Sequence, residues 1–395
     1  MPSVIHQSFH VNLKAMRFFF LYPPDKYKTL YRIHTYIMYF VLVVPIPILE
    51  CLFLFLQENL RFAQFADSVF LLAELVCFVL KLYPFLNNSE RIKKCIHYFD
   101  SAVFEVVRSE HEEILKECVK MCRRTSALFL AAVTGGFISW SSRPISWKNH
   151  VFPTDLWLPF DVKTAPRSYI SCTYVYIVMG VGYGAYTSAA IDPLIAGLAY
   201  QATCQIKILK NNLQFLKEQV KDEFGKTTNL DSARENELVY EKIRKCVIHH
   251  NLILEFVKEY EHCFSQIALS QFVAGVVVLC LSCLQLTLVD LVSFDFLAMV
   301  MYLIAMLSES YLYCYFGTVL YEESNTIIDA IYLGKWYEYD VRCRKALILL
   351  MERAKRPMIV TCGKIVDMSL DTFTLILRRS YSLLAVLENY NIELN

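Results

Sequence analysis

The sequence predicts an all-α membrane protein with seven transmembrane helices, a cytoplasmic N-terminus, an extracellular C-terminus, and cytoplasmic helical extensions that form an assembly domain. Three observations carry that expectation. Of the 395 residues, 56% are hydrophobic and only 19% are charged, whereas a soluble domain carries about 25% charge. Seven stretches reach the roughly 20 apolar residues that a helix needs to cross a bilayer. Lysines and arginines gather in every second loop, as the positive-inside rule requires. The net charge of +1 gives no hint of nucleic acid or of any acidic partner.

The first span, residues 34–56, acts as its own insertion signal, because "MPSVIHQSFHVNLKAMRFFFLYPP" has no short apolar core followed by a small-residue cleavage site. The second, 65–86, carries Asp67, Glu74 and Lys81. The third, 125–142, has no charge. In the fourth, 169–200, Asp192-Pro193 introduces a kink, since proline removes a backbone donor. The "GVGYG" of the same span supplies small residues that let helices approach closely. The fifth, 263–289, is also uncharged, and its Cys280-x-x-Cys283 lacks the charged or imidazole neighbours of a reactive pair, so both read as small buried hydrophobes. The sixth is 294–320. The seventh, 357–387, is the most polar, with Lys364, Asp367, Asp371, Arg378 and Arg379. In lipid every backbone polar group must be satisfied within the segment, so these are helices or they are not spans.

Lys14, Arg17, Lys26, Lys28 and Arg32 precede the first span, and further basic runs fill 91–124, 207–258 and 335–356. The opposite loops hold only Arg61, Arg143, Lys148, Lys163 and Arg167. The N-terminus is therefore expected in the cytoplasm and the C-terminus outside. The single sequon, Asn87-Asn88-Ser89, falls on the cytosolic side and should carry no sugar. The fourteen cysteines lie in spans or in cytosolic loops and are expected as free thiols.

Below the membrane, Ile206, Leu209, Leu213, Leu216 and Val220 recur at helical spacing, which continues the fourth helix beyond the bilayer. "VYEKIRKCVIHHNLILEFVKEYEHCF" leads in the same way into the fifth span, and 88–124 into the third. Between them "FGKTTNLDSAREN", with Gly225, is a polar break. Isolated apolar stripes of this length are marginal alone, so these extensions need one another as an assembly domain.

Catalytic chemistry is missing: there is no H-E-x-x-H, no G-x-S-x-G, no P-loop and no dinucleotide fingerprint. No catalytic residue, cofactor or metal site is expected. His249 and His250 are adjacent, point about 100° apart on a helix, and cannot chelate one ion together, so they read as packing residues.

The C-terminal half resembles the insect odorant receptor family. The residues that carry the resemblance are "CVIHHNLILEFVKEYEHCFSQIALSQF", "YLYCYFGTVLYEES" and the run from Lys335 to Leu387, with Tyr313-Cys314-x-x-Gly317, Trp336, Arg353 to Pro357, Gly363-Lys364 and Ser380-Tyr381-Ser382 in combination. The last 150 or so residues match strongly; the first 240 or so match in span layout. The related gustatory receptors end in Thr-Tyr…Gln-Phe, where this chain has Ser380-Tyr381…Glu388-Asn389. The family's co-receptor has a longer loop between spans four and five. The resemblance therefore implies an odorant-tuned subunit of a ligand-gated, poorly selective cation channel in the plasma membrane. It implies a heterotetramer with co-receptor subunits around one central pore lined by the last helix. Its ligand would be a small volatile odorant, its surroundings lipid, with no nucleic-acid partner. The whole chain, 1–395, is then one channel subunit: a cytoplasmic segment 1–33, six spans with the pocket over 34–320, an assembly segment 321–356, and a pore helix with tail over 357–395. A G-protein-coupled or gustatory-type chemoreceptor is the alternative; the first conflicts with the charge bias and with the absence of Asp-Arg-Tyr and Asn-Pro-x-x-Tyr motifs.

The resemblance puts the odorant pocket among the outer halves of spans two, three, four and six. At comparable depth there lie Phe70, Ala73, Val133, Gly136, Trp140, Tyr174, Val178, Met299 and Tyr302, with Gly136 leaving a gap and Trp140 forming a wall. On the last helix Ser380, Leu384, Leu387 and Asn391 form one stripe, with Glu388 beside it, and are the candidate pore residues. Leucines at a constriction exclude water, and a carboxylate at the mouth attracts cations. Each arginine at mid-bilayer costs about 2.5 to 3.5 kcal/mol, so Arg378 and Arg379 need water or protein beside them, with Glu309 and Asp371 as candidate partners.

Overall fold

The computed structural model describes residues 4–24, 26, 28–57, 62–104, 108–142, 144, 152–162, 164–224, 232–288 and 294–394. Two short helices, α1 (Val4–Ser8) and α2 (His10–Phe18), come first. A first long column runs through α3 (Lys28–Met38), a π-turn at Tyr39–Val43 and α4 (Pro45–Leu56). Then come α5 (Phe62–Asn87), α6 (Ser89–Ile96), α7 (Ser109–Ser141), α8 (Arg167–Gln214) and α9 (Leu216–Phe224). The second half holds α10 (Ser232–Leu288), α11 (Phe294–Asn325), α12 (Ile327–Leu333), α13 (Val341–Ala354) and α14 (Leu370–Leu394).

Four stretches among the described residues are both long and apolar enough to cross a membrane: Lys28–Leu56, Gln64–Asn87, Ala233–Leu286 and Met299–Leu333. Helices α7, α8 and α14, at 33, 48 and 25 residues, have the length but more polar faces. For α8 the reason is what the helix touches. Helix α8 is the axis of the bundle, packed on α2, α7, α10, α11 and α12, and it is buried almost without interruption from Gly180 to Ile206. Its small residues permit this. A Cβ at Gly182 would run into the Phe137 ring, at Gly184 into Phe78, and at Gly180 into Ile46 and the Leu42 carbonyl, the close approach that glycine and alanine give to membrane helices.

The fourth helix does continue beyond its apolar portion, and Ile206, Leu209, Leu213, Leu216 and Val220 are all buried. Helix α10 is likewise unbroken for 57 residues. The apolar stripes of α8, α9, α10, α12 and α13 pack on one another, and α10 also receives α6. Around them sit the ion pairs Lys210–Glu323 (2.7 Å), Arg342–Glu237 (3.2 Å) and Arg91–Glu259, the last with two parallel contacts of 2.9 and 3.0 Å. His249 and His250 are buried in this region, and His249 meets the Gln205 amide oxygen at 3.2 Å. All fourteen cysteines are free thiols.

One boundary corrects the sequence reading. The last helix begins at Leu370 and not at residue 357. Residues before it form a small antiparallel hairpin, Thr361–Cys362 against Val366–Asp367, with Gly363 and Lys364 at φ of 61° and 59°. The left-handed backbone at the tip suits glycine. The hairpin is pinned by Ser265, whose hydroxyl donates to the Thr361 carbonyl (2.8 Å) and accepts from the Gly363 N–H (2.7 Å). Lys364 and Asp367, which made this span look too polar, stand in the hairpin and not in the helix.

Candidate functional site

Between α5, α7, α8 and α11 lies a cavity of about 140 Å³. Its wall is mostly aromatic and aliphatic. Phe70 and Tyr302 meet at 4.9 Å across α5 and α11, and Phe137 stacks beside Trp140 at 6.1 Å on α7. Met299, Met306 and Val133 fill the remaining sides. Gly136 faces the space, and nothing lies within 4 Å of where its Cβ would be. Of the nine residues expected to form a pocket, the cavity brings together Phe70, Val133, Gly136, Trp140, Met299 and Tyr302. Ala73, Tyr174 and Val178 stand outside its wall; Ala73 packs on the core, and the Tyr174 hydroxyl donates to the Ser141 carbonyl at 2.8 Å.

The opposite end of the cavity is polar. Glu74 of α5, Asp192 of α8 and Glu309 of α11 line it. Lys81, two turns further along α5 and fully buried, reaches Asp192 at 3.0 Å and Glu309 at 2.5 Å. Tyr313 adds its hydroxyl to the other Asp192 oxygen at 2.8 Å. Three helices thus converge on one ammonium. In an apolar bundle a lone charge is prohibitively costly, and close pairing plus hydrogen bonds is what makes a buried one tolerable. Lys81, one of the charges that weakened the second span in sequence, is therefore a structural partner of Asp192 and Glu309. Pro193 follows directly and leaves the helix continuous. Sequence reading missed this cluster, although its signal was present: Glu74, Lys81, Asp192 and Glu309 are ionisable residues inside otherwise apolar segments.

Glu309 is committed to Lys81, which corrects its candidacy as a partner of the arginines. Arg378 and Arg379 lie exposed on α14, beside exposed Leu377 and Tyr381. On the inward face of the same helix Ser380 is 5% exposed; its hydroxyl donates to the Ile376 carbonyl (2.9 Å) and also reaches the Val276 carbonyl of α10 (3.3 Å). Leu384 is partly buried against the core at the border of the two faces. The side chains of Leu387, Glu388 and Asn391 lie outside the described residues.

Helix α11 connects the cavity to the last helix. Glu309 and Tyr302 stand at one end; two turns beyond Glu309, Gly317 is so close to the Met368 backbone that a side chain would overlap it, and the Thr318 hydroxyl accepts the Leu370 N–H at 2.9 Å. The motif residues Tyr313, Gly317, Gly363 and Ser380 all sit at contacts between elements.

The chain as a whole is similar to known proteins. Odorant receptor Or1 of Anopheles gambiae is 24% identical over 403 aligned residues, covering 98% of this chain and 96% of that protein. Odorant receptor 22c of Drosophila melanogaster is 23% identical over 290, covering 71% of each. The structure of the insect olfactory receptor OR5 from Machilis hrabei in complex with eugenol superposes with a TM-score of 0.81 over 98% of both chains, at 15% identity. At that identity the likeness speaks for the fold. A family profile described as 7tm Odorant receptor matches residues 61–381. That span takes in both the cavity and the contacts that tie it to the last helix, and the chain belongs to the odorant receptor family, a multi-pass membrane receptor and not an enzyme.

Proposed function

We propose that this chain is the odorant-tuned subunit of a ligand-gated, poorly selective cation channel, which binds a small volatile molecule in the α5–α7–α8–α11 cavity. It works in the plasma membrane as a tetramer with co-receptor subunits, with the N-terminus in the cytoplasm and α14 beside the central pore. The observation that carries the ligand reading is the cavity itself: apolar, aromatic, small, and left open by Gly136. Such a chamber with few polar groups is what a small apolar ligand requires. That a fold neighbour is solved with eugenol supports it. The exposed arginines of α14 support a wet or protein-covered face for that helix, because two of them facing lipid would cost about 5 to 7 kcal/mol. The contacts from Glu309 to Thr318 along α11 offer a mechanical path from ligand to pore helix.

The test is Gly136→Trp, recorded in cells with the co-receptor. A cavity of about 150 Å³ holds benzene, so an indole in this one leaves no room for a ligand. Because a Cβ here meets nothing within 4 Å, the fold should tolerate the change. Odorant currents should vanish while surface expression persists; an unaltered dose response would remove the cavity from ligand binding.

A further inference from the structure

The cavity is chemically unequal from end to end. One end is aromatic, while the floor presents carboxyl groups from three helices. Two of these are spent: Asp192 holds Lys81 and Tyr313, and Glu309 holds Lys81. Glu74 differs. It lines the cavity, is only 8% exposed, and its Oε2 has no hydrogen-bond partner among the described residues. Buried acceptors left unpaired are rare in folded proteins, because desolvation is then uncompensated. Among the described residues Oε2 has no donor, so a molecule that fills the cavity can supply one. Size bounds that occupant as well. At about 140 Å³ the space is close to the roughly 150 Å³ that accommodates benzene, so it takes one ring and a short arm.

We infer that the ligand is a single-ring molecule, or one of equal size, bearing a hydroxyl or N–H at one end, which donates to Glu74 Oε2 while the ring packs among Phe70, Tyr302 and Trp140. This rests on the odorant-receptor reading above and adds the chemical class of the ligand. The polar end fixes orientation; the aromatic end supplies affinity and discriminates little. Hydrocarbons of the same shape fit the walls but leave Oε2 unpaired.

The experiment compares benzyl alcohol with ethylbenzene, two probes of the same shape that differ in O–H against CH3. Affinities are measured on the purified complex with co-receptor subunits in lipid nanodiscs for the wild type, Glu74→Met, Glu74→Gln and Gly136→Trp. The quantity read is the change in the ratio of the two affinities between variants, which cancels partitioning into lipid. A hydrogen bond to a carboxyl group should give a shift of about ten- to hundredfold towards ethylbenzene in Glu74→Met. Glu74→Gln retains a carbonyl acceptor and should keep most of the wild-type ratio. Removing a buried unpaired acceptor should not harm folding, and gel filtration checks that it does not. A ratio within twofold of wild type in Glu74→Met overturns the inference, as does a wild type that binds neither probe. If Gly136→Trp still binds both probes, the cavity reading itself fails; if it loses both while Glu74→Met leaves the ratio unchanged, only the donor assignment falls.

Discussion

Replacing Lys81 by methionine should be among the most damaging single changes in this protein. The ammonium is fully buried, with Asp192 and Glu309 also buried and held at 3.0 and 2.5 Å. Methionine matches the length of the stem and keeps the packing, so the perturbation is electrostatic. It leaves two carboxylates facing each other without a counter-charge. Removing one member of a buried ion pair costs about 3 to 5 kcal/mol, and here two acceptors lose their partner at once. Against a total of about 5 to 15 kcal/mol, the folded population should drop by at least a hundredfold, at about 1.4 kcal/mol per decade. The informative control is the compensated triple variant Lys81→Met, Asp192→Asn, Glu309→Gln, which removes the charges together. The amide oxygen introduced by Asp192→Asn would still accept the Tyr313 hydroxyl, so the triple variant should recover most of the loss. Fluorescence-detected gel filtration of tagged protein after a temperature ramp reads both. A single variant as heat-resistant as wild type would refute the reasoning. So would a triple variant no better than the single one, because the damage would then be packing and not charge.

Three further outcomes follow from the same contacts. Leu384→Ser on α14 should raise current in the absence of odorant, and Glu388→Lys should lower cation conductance, in co-receptor-containing patches; unchanged resting current and permeability at normal surface levels would detach this stripe from the pore. Asn87 is the last residue of α5, where its amide oxygen accepts from Tyr36 at 3.3 Å, and under the proposed orientation it should remain unglycosylated; a glycosidase-sensitive mobility shift that Asn87→Gln removes would reverse that orientation. His111, on α7 outside the apolar stretch, lies against Asn211 at 3.2 Å, and burial lowers its pKa, with Arg108 pressing the same way and the Asn211 bond opposing. Its neutral form is thus favoured in the fold. The stability it contributes is complete above the unfolded value of about 6.5 and is lost as pH falls from there through the folded pKa. Thermal unfolding between pH 8 and 5 should show that decline, and His111→Gln, which keeps an amide N–H for Asn211, should lessen it, the remainder belonging to His249 and His250, whose pKa values burial also lowers.

The sequence by itself determined the helical class and the continuation of α8 and α10 beyond the apolar segments, and its resemblance to the family led to six of the residues that line the cavity. The first two are local properties, because hydrophobic periodicity and the length of apolar runs are written residue by residue, while the resemblance pointed to the region in which Gly136, Trp140, Phe70 and Tyr302 lie. Tertiary structure alone decided the rest. Glu74, Lys81, Asp192 and Glu309 are separated by up to 228 positions, and no periodicity in one helix reveals that three helices turn their charges to the same point. The start of α14 was hidden for a related reason. By sequence, residues 357–369 read as the first turns of that helix, and the ladder of Thr361–Cys362 against Val366–Asp367, with the Ser265 hydroxyl of α10 bonding to Thr361 and Gly363, makes them a hairpin. Ser380 likewise shares a stripe with Leu384 by spacing, yet it turns inward because a carbonyl of α10 lies beside it. Spacing along a helix fixes which residues share a face, while the partner of that face is chosen by distant parts of the chain whose mutual positions depend on the packing of the whole bundle.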